Sequence, residues 1–326
     1  MAILKKLRNL RPVANSGFSI NSRNTAGRFI NRDGRANVIK RGGGILNRNS
    51  WYHTLLEMNR NRFLLLLLLF YIGINMIFAG IYYLIGIDHL AGVNTGSDLK
   101  NFSEVFFFSA QTFTTVGYGR ISPVGFAASA VSTFEAFLGL LSFAIATGLF
   151  YGRFSRPQAF IRFSKNALIA PYQDGTAFMF RLCPFKNNKL SEVEVKLTMA
   201  ITTYENEKES NRFFDLPLEM SRVNGLSLSW TVVHPIDDKS PFYGFTARDI
   251  AETDIEIIVF VKGFDEVFSN NVVARTSYIS EEIVWGARFL MMFHPNSNKT
   301  KTILNLDMLN HFERVPIPDP PVPQPD

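Results

Sequence analysis

Cysteine is nearly absent: Cys183 is the only one in 326 residues. That excludes an intrachain disulfide framework and any metal site built on clustered cysteines, and it suits a reducing compartment. Charge is also scarce, at 19% of residues against 47% hydrophobic, whereas an average soluble domain carries about 25%. Acidic residues are almost missing from the first 62 positions, where thirteen Lys and Arg face only Asp33 and Glu57. A basic arm is one signature of nucleic-acid binding, but no aromatic interleaving or recognisable nucleic-acid fold accompanies this one, so no nucleic-acid partner is expected. The five histidines, His53, His89, His234, His294 and His311, are scattered without ligand spacing. There is no nucleophile–base pair, phosphate loop or internal repeat, and catalysis is not expected. A mean hydropathy of +0.06 is too low for a chain embedded throughout in lipid. With this length it points to a small membrane part and a larger water-soluble part.

What is present starts with a charge-free run from Phe63 to Ile87 that includes six consecutive leucines, Leu64 to Leu69. About 25 apolar residues cross a hydrocarbon core of roughly 30 Å with some tilt. The run starts too late and is too long for a signal peptide. A second span covers about Val124 to Gly152, interrupted only by Glu135 and followed by Arg153, Arg156 and Pro157. Positive charge flanks the outer end of each span in sequence, while the connecting loop carries Asp88, Asp98 and Lys100. The positive-inside rule therefore places both termini in the cytoplasm of a multi-pass protein of the plasma membrane or bacterial inner membrane. Just before the first span, Trp51 to Met58 has near-helical apolar spacing, and it is expected to lie along the inner interface.

Between the spans, Phe102 to Phe113 is too short to cross and reads as a re-entrant helix. It leads into Thr115-Val116-Gly117-Tyr118-Gly119, which resembles the selectivity filter of a potassium channel. The physical demand is plain: K+ must exchange its water shell for oxygens of nearly equal energy. Backbone carbonyls meet it as dipoles without formal charge. Pointing several successive carbonyls one way requires left-handed backbone, which Gly117 and Gly119 supply. The carbonyls of Thr115, Val116, Gly117 and Tyr118 are the candidate K+ ligands, with Val116 and Tyr118 turned away from the axis onto the short helix. One chain gives only one wall, so several copies around an axis are required.

On the second span, Phe143, Thr147 and Tyr151 share a face at four-residue spacing. They line a pore and gate it near Tyr151, or they are ordinary helix packing; the spacing alone fits both. Gly148 and Gly152 are candidate hinges, or sites of close helix contact. Glu135, the one ionisable group inside a span, is expected behind the filter, bonded to the pore helix or filter backbone.

After residue 157 the pattern changes to short alternating β runs, such as Val193–Thr202 and Ile255–Val261, separated by turn signals. These predict a β-sandwich. A proline-rich stretch from Pro316 to Pro325 cannot build a core.

Several further segments together resemble the inward rectifier potassium channels, most closely their prokaryotic branch. They are Arg28-Phe29-Ile30-Asn31-Arg32-Asp33-Gly34-Arg35-Ala36-Asn37-Val38, Phe163 to Ile169, His234-Pro235-Ile236-Asp237-Asp238-Lys239-Ser240-Pro241-Phe242-Tyr243, Ala274 to Tyr278 and Glu282 to Gly286. The resemblance covers roughly residues 28 to 295. It implies a homotetramer, an interfacial slide helix and an immunoglobulin-like cytoplasmic domain that prolongs the pore. It also implies an inner-helix gate at Tyr151 and a cytoplasmic pore charge at Glu266. No cofactor is expected; K+ is the permeant ion, and Mg2+ and polyamines are the candidate blockers. Phe143 occupies the position that is acidic in strong rectifiers, which argues against tight block. Gln111 and Ile121 replace a Glu and an Arg that brace the filter in eukaryotic members, so the support is expected to differ, with Glu135 and Gln111 as supporting residues and Arg120 as a further candidate. Arg153 and Arg156, with Arg60 and Arg62, are the candidates for binding anionic phospholipid, each basic group near such a surface contributing roughly 1 kcal/mol.

The expected organisation is therefore a basic cytoplasmic segment (1–48), a slide helix (49–61) and a two-helix pore domain (62–156). The pore domain holds a pore helix at 102–114 and the filter at 115–119. A cytoplasmic β-sandwich (157–312) and a proline-rich tail (313–326) follow. A nonselective cation channel with a loosened filter and a membrane-anchored β-sandwich sensor are the alternatives.

Overall fold

The computed structural model describes residues 28–39, 42, 50–205 and 208–317. The chain divides into two units, one of residues 41–156 and one combining 1–40 with 157–326.

In the first unit, helix α1 (Trp51–Glu57) is capped by Ser50, whose side chain accepts from the amide of His53. The helix stops at Met58–Asn59, and α2 (Arg60–Ile85) begins. The expected slide helix of 49–61 is thus shorter, and Arg60 and Arg62 belong to the first turn of α2. At a rise of about 1.5 Å per residue, the 26 residues of α2 run roughly 39 Å. The pore helix, α3 (Asp98–Phe113), starts four residues earlier than its apolar stretch suggested, with Asp98 in the first turn where the helix dipole favours an acid. After the filter, a two-stranded ladder pairs β1 (Leu90–Ala91) with β2 (Ser122–Pro123). Gly92, at φ +85°, has no room for a side chain, because a Cβ there would lie 1.9 Å from the carbonyl oxygen of Arg120. Helix α4 (Phe126–Phe154) follows and ends three residues before Pro157. Both α2 and α4 are long and apolar enough to cross a membrane. Phe78, Ala79 and Tyr82 of α2 pack with Val105 and Phe108 of α3 and with Leu90 and Ile121.

The second unit is a β-sandwich. One sheet has the order β11 (Asn270–Ile279), β10 (Ile255–Asp265), β6 (Leu190–Glu205) and β7 (Lys208–Asp215), with β8 (Arg222–Gly225) also on β6. The other runs β12 (Ile283–Trp285), β4 (Ala167–Tyr172), β5 (Gly175–Pro184) and β3 (Ile161–Phe163), with β9 (Trp230–Pro235) on β5. The alternation read at Val193, Val195, Leu197 and Met199 is realised: all four are buried between the sheets with Phe178, Phe180, Ile257 and Val259. Burial of such side chains contributes about 1.5–3 kcal/mol each. A short helix, α5 (Ala247–Glu252), carries a capping box from Thr246 and Asp249. Two small ladders complete the unit, β13 (Ala287–Phe289) with β16 (Phe312–Arg314) and β14 (Phe293–Pro295) with β15 (Thr302–Leu304).

Two expected boundaries move. Residues 28–39 of the basic segment are not separate but belong to the sandwich. Phe29 and Ile30 sit in an apolar cluster with Ala200, Phe213 and Ile258, and their amides donate to the Glu256 carboxylate at 2.5 and 3.0 Å. Arg28 and Arg32 both pair with Glu282 at 2.6 Å. The reason was legible only in three dimensions, because Glu256 and Glu282 lie over 200 positions away. Likewise the tail does not begin at 313: Phe312–Arg314 is a strand, and the amide of Val315 donates to the carbonyl of Gly286. The proline-rich residues 318–326 lie outside the described residues.

Candidate ion-conduction site

The filter grows out of the last turn of α3. The amide of Thr115 donates to the carbonyl of Thr112 at 3.0 Å, and those of Val116 and Gly117 donate to the carbonyl of Gln111 at 2.9 and 3.4 Å. Gln111, expected as a supporting residue, thus supports through its backbone, and no side-chain bond of Gln111 appears among the described residues. The backbone alternates in hand: Thr115, Gly117 and Gly119 have φ of +59°, +52° and +80°. The two glycines adopt this freely. Thr115 does so against its side chain, a strain that the surrounding hydrogen bonds must hold. With the amides of 115–117 spent on the pore helix, no donor among the described residues reaches the carbonyls of Thr115, Val116, Gly117 or Tyr118. Free carbonyls at membrane depth are tolerated only where they face a water-filled or ion-filled path.

Val116 and Tyr118 do not pack on the short helix of their own chain as expected; they are 52% and 79% exposed. Within one chain Tyr118 therefore has little cover.

Behind the pore helix, Glu135 lies fully buried on α4. It accepts from Ser109 Oγ of the pore helix at 2.5 Å and from Tyr82 Oη of α2 at 2.7 Å. The expected bond to the pore helix is present, whereas no bond to the filter backbone is. Ser109 also lies 3.0 Å from Oδ1 of the buried Asn75 on α2, so three helices meet in one polar knot. Asn75, Ser109 and Tyr82 were missed in the sequence, although a polar side chain inside a span is itself a signal of helix–helix bonding. Beyond the filter, Arg120 pairs with Glu104 of α3 and reaches the carbonyl of Gly92 at 3.5 Å. This ties the residue that follows the filter to the pore helix and to the loop before it.

Gly139 was also missed. A Cβ there would lie 1.9 Å from the carbonyl oxygen of Phe113, so only glycine lets α4 pass this close to the end of the pore helix.

At the other end of α4, Phe143, Thr147 and Tyr151 do share an exposed face, Phe143 and Tyr151 at 75% and 74%. Thr147 turns its hydroxyl back to the carbonyl of Phe143 at 2.8 Å. An added Cβ at Gly148 would meet nothing within 4 Å, but at Gly152 it would lie 3.2 Å from Leu56 Cδ2 and Tyr52 Oη of α1. Gly152 is therefore a site of close contact with α1 inside an unbroken helix. Arg153 is engaged within its own chain. Its guanidinium donates to the carbonyls of Leu55 (2.5 Å), Leu56 (3.3 Å) and Met58 (2.6 Å) and lies 4.4 Å from the centre of the Phe63 ring. It caps the C-terminus of α1. Arg156 makes only a 4.0 Å contact to Glu57. In the sandwich unit, Glu266 is exposed in the β10–β11 turn beside the exposed Val267 and Phe268.

Two membrane-length helices flanking a short helix and a loop of unpaired carbonyls define a pore-forming ion channel, and residues 70–156 match a family model described as "Ion channel". Residues 161–325 match another, "Inward rectifier potassium channel C-terminal domain". The chain is 36% identical to the inward rectifier potassium channel Kirbac3.1 of Paramagnetospirillum magnetotacticum, over 82% of this chain and 89% of that one. It therefore belongs to the inward rectifier potassium channel family. It is also 30% identical to inward rectifier potassium channel irk-1 of Caenorhabditis elegans and 29% identical to human ATP-sensitive inward rectifier potassium channel 8. Those matches cover 65% and 60% of this chain but only 43% and 48% of the relatives.

Proposed function

We propose that four copies of this chain surround a potassium-selective pore, with the carbonyls of Thr115, Val116, Gly117 and Tyr118 stacked as rings of oxygen around dehydrated K+ and Gly119 completing the turn. The observation that carries the reading is the division of labour in the filter backbone: amides bound to the pore helix, carbonyls left without donors. Fixed dipoles of this kind admit the ion and release it again. The bare Val116 and Tyr118 are covered by the adjoining copy.

In this reading Phe143, Thr147 and Tyr151 line the inner pore, and a ring of Tyr151 closes it by excluding water. Both termini and the β-sandwich are cytoplasmic, since the basic flanks of both spans face that side. Glu266 lines the cytoplasmic path, where a ring of carboxylates raises the local cation concentration. Inward rectification is weak, because Phe143 gives Mg2+ and polyamines no carboxylate to bind. With Arg153 committed to α1, anionic phospholipid is left to Arg156, Arg60 and Arg62.

The test is flux from liposomes holding the purified oligomer. K+ efflux is expected to exceed Na+ efflux and to stop with Ba2+. Equal K+ and Na+ fluxes would establish the nonselective alternative instead.

A further inference from the structure

The sandwich holds an arginine whose charge is answered by no carboxylate among the described residues. Arg181, on β5, is 6% exposed. Its Nη1 donates to the carbonyl of Leu290 at 2.7 Å, its Nε lies 3.3 Å from Thr231 Oγ1, and its guanidinium stacks 4.6 Å from the centre of the Phe289 ring. Nη2 has no protein acceptor among the described residues, and no carboxylate there pairs with the group. Burial pushes its pKa below the usual arginine value, and of the neighbouring acids only the weak Cys183 thiol opposes the shift. A buried cation without a counter-charge is costly, so something outside the chain is the natural partner.

Arg181 also lines a cavity of about 400 Å³, within the roughly 300–1,000 Å³ of small-molecule sites. Its lining combines the polar Ser229 and Thr231 with the apolar Phe289, Met291 and Phe293. Arg288 and Glu313 stand at the rim, but they neutralise each other through Nε and Nη2 contacts to one carboxylate oxygen at 3.2 and 2.6 Å. The cavity therefore keeps one uncompensated positive charge among apolar side chains. That combination selects a carboxylate head, which a guanidinium binds with directed hydrogen bonds, joined to a short hydrocarbon. We propose that this cavity between β5, β9 and the β13–β14 link binds a small organic carboxylate, its head on Arg181 and its carbon chain against Met291 and Phe293.

The probe is sodium butanoate added to the full-length oligomer in detergent, at fixed pH and ionic strength, followed by calorimetric titration and thermal unfolding. Saturable binding with a rise in Tm is expected. Acetate should bind roughly tenfold more weakly, having two fewer methylenes to bury. Ser229→Leu, which fills the cavity while keeping Arg181, should abolish the butanoate signal and leave K+ flux unchanged. Arg181→Gln should abolish it too. No saturable signal, a signal that survives Ser229→Leu, or inorganic phosphate binding as tightly as butanoate would each overturn the assignment.

Discussion

Replacing Gly139 by alanine adds one methyl group where the structure leaves none of the space it needs. The new carbon would stand 1.9 Å from the carbonyl oxygen of Phe113, 2.8 Å from its carbonyl carbon and 3.2 Å from its Cα. Ordinary contact begins at 3.4 Å, so α4 and the end of the pore helix must separate by about 1.5 Å, the difference between 3.4 and 1.9 Å. All three atoms are backbone, so no rotamer change relieves the clash. Overpacking of a core that can shift its side chains costs about 1–3 kcal/mol, and this site belongs at or above the top of that range. The helix propensity gained on going from glycine to alanine, about 1 kcal/mol, offsets only part of it. The displaced residue lies two positions before Thr115, and functional geometry of this kind tolerates about 0.5 Å. Gly139→Ala is therefore expected to lower the melting temperature of the detergent-solubilised oligomer and to cut K+ over Na+ selectivity in liposome flux. Gly73→Ala on α2, whose added carbon meets nothing within 4 Å, should do neither. A Gly139→Ala protein with native melting and native selectivity would show that the close crossing does not hold the filter.

Three other outcomes follow from the same contacts. Glu135→Leu leaves the Tyr82 hydroxyl buried without an acceptor, at a cost of about 1–3 kcal/mol in oligomer stability, and adding Tyr82→Phe should recover part of it; strictly additive losses in thermal unfolding would disprove the coupling. Arg153→Ala strips three carbonyls of their donors, so α1 should fray, read as faster proteolysis between Tyr52 and Met58, and Arg153→Lys should not restore protection because an ammonium cannot span all three acceptors. In the sandwich, burial raises the Glu256 pKa above its usual 4.5. A raised acid contributes stability that is complete below pH 4.5 and lost as pH climbs through the raised value. Glu256→Gln should therefore flatten the decline in urea midpoint on that limb, and an unchanged slope would refute the assignment.

The parts of the chain that were legible from sequence are those in which a short segment suffices to state the constraint. The spans announce themselves through unbroken apolarity, because lipid offers the backbone no other partner. The sandwich strands do so through alternation, since Val193, Val195, Leu197 and Met199 must all face one way. The filter is legible for a similar reason: Gly117 and Gly119 are needed wherever the backbone must turn left-handed, and that need is local. Thr115 escaped notice because a β-branched residue at φ +59° contradicts its own preference. Only the pull of the Thr112 and Gln111 carbonyls on the following amides explains it.

What sequence reading did not foresee shares a different property. Arg153 and Gly152 lie on the basic, glycine-bearing end of a membrane helix, where local chemistry favours lipid contact and bending. Both are instead claimed by α1, about a hundred positions earlier in the chain. Glu256 and Glu282 look like surface acids on β10 and beside β12 until residues 28–39 fold against them. In each case a charged or conformationally free group is consumed by a partner whose distance along the chain hides it. The filter itself repeats the pattern at the next level. Tyr118, exposed in one chain although its chemistry calls for cover, has spent none of its bonding capacity within the subunit. A side chain without a partner among the described residues points to one outside the chain. For Tyr118 that partner is another copy, and for Arg181, by the same reasoning, it is a ligand.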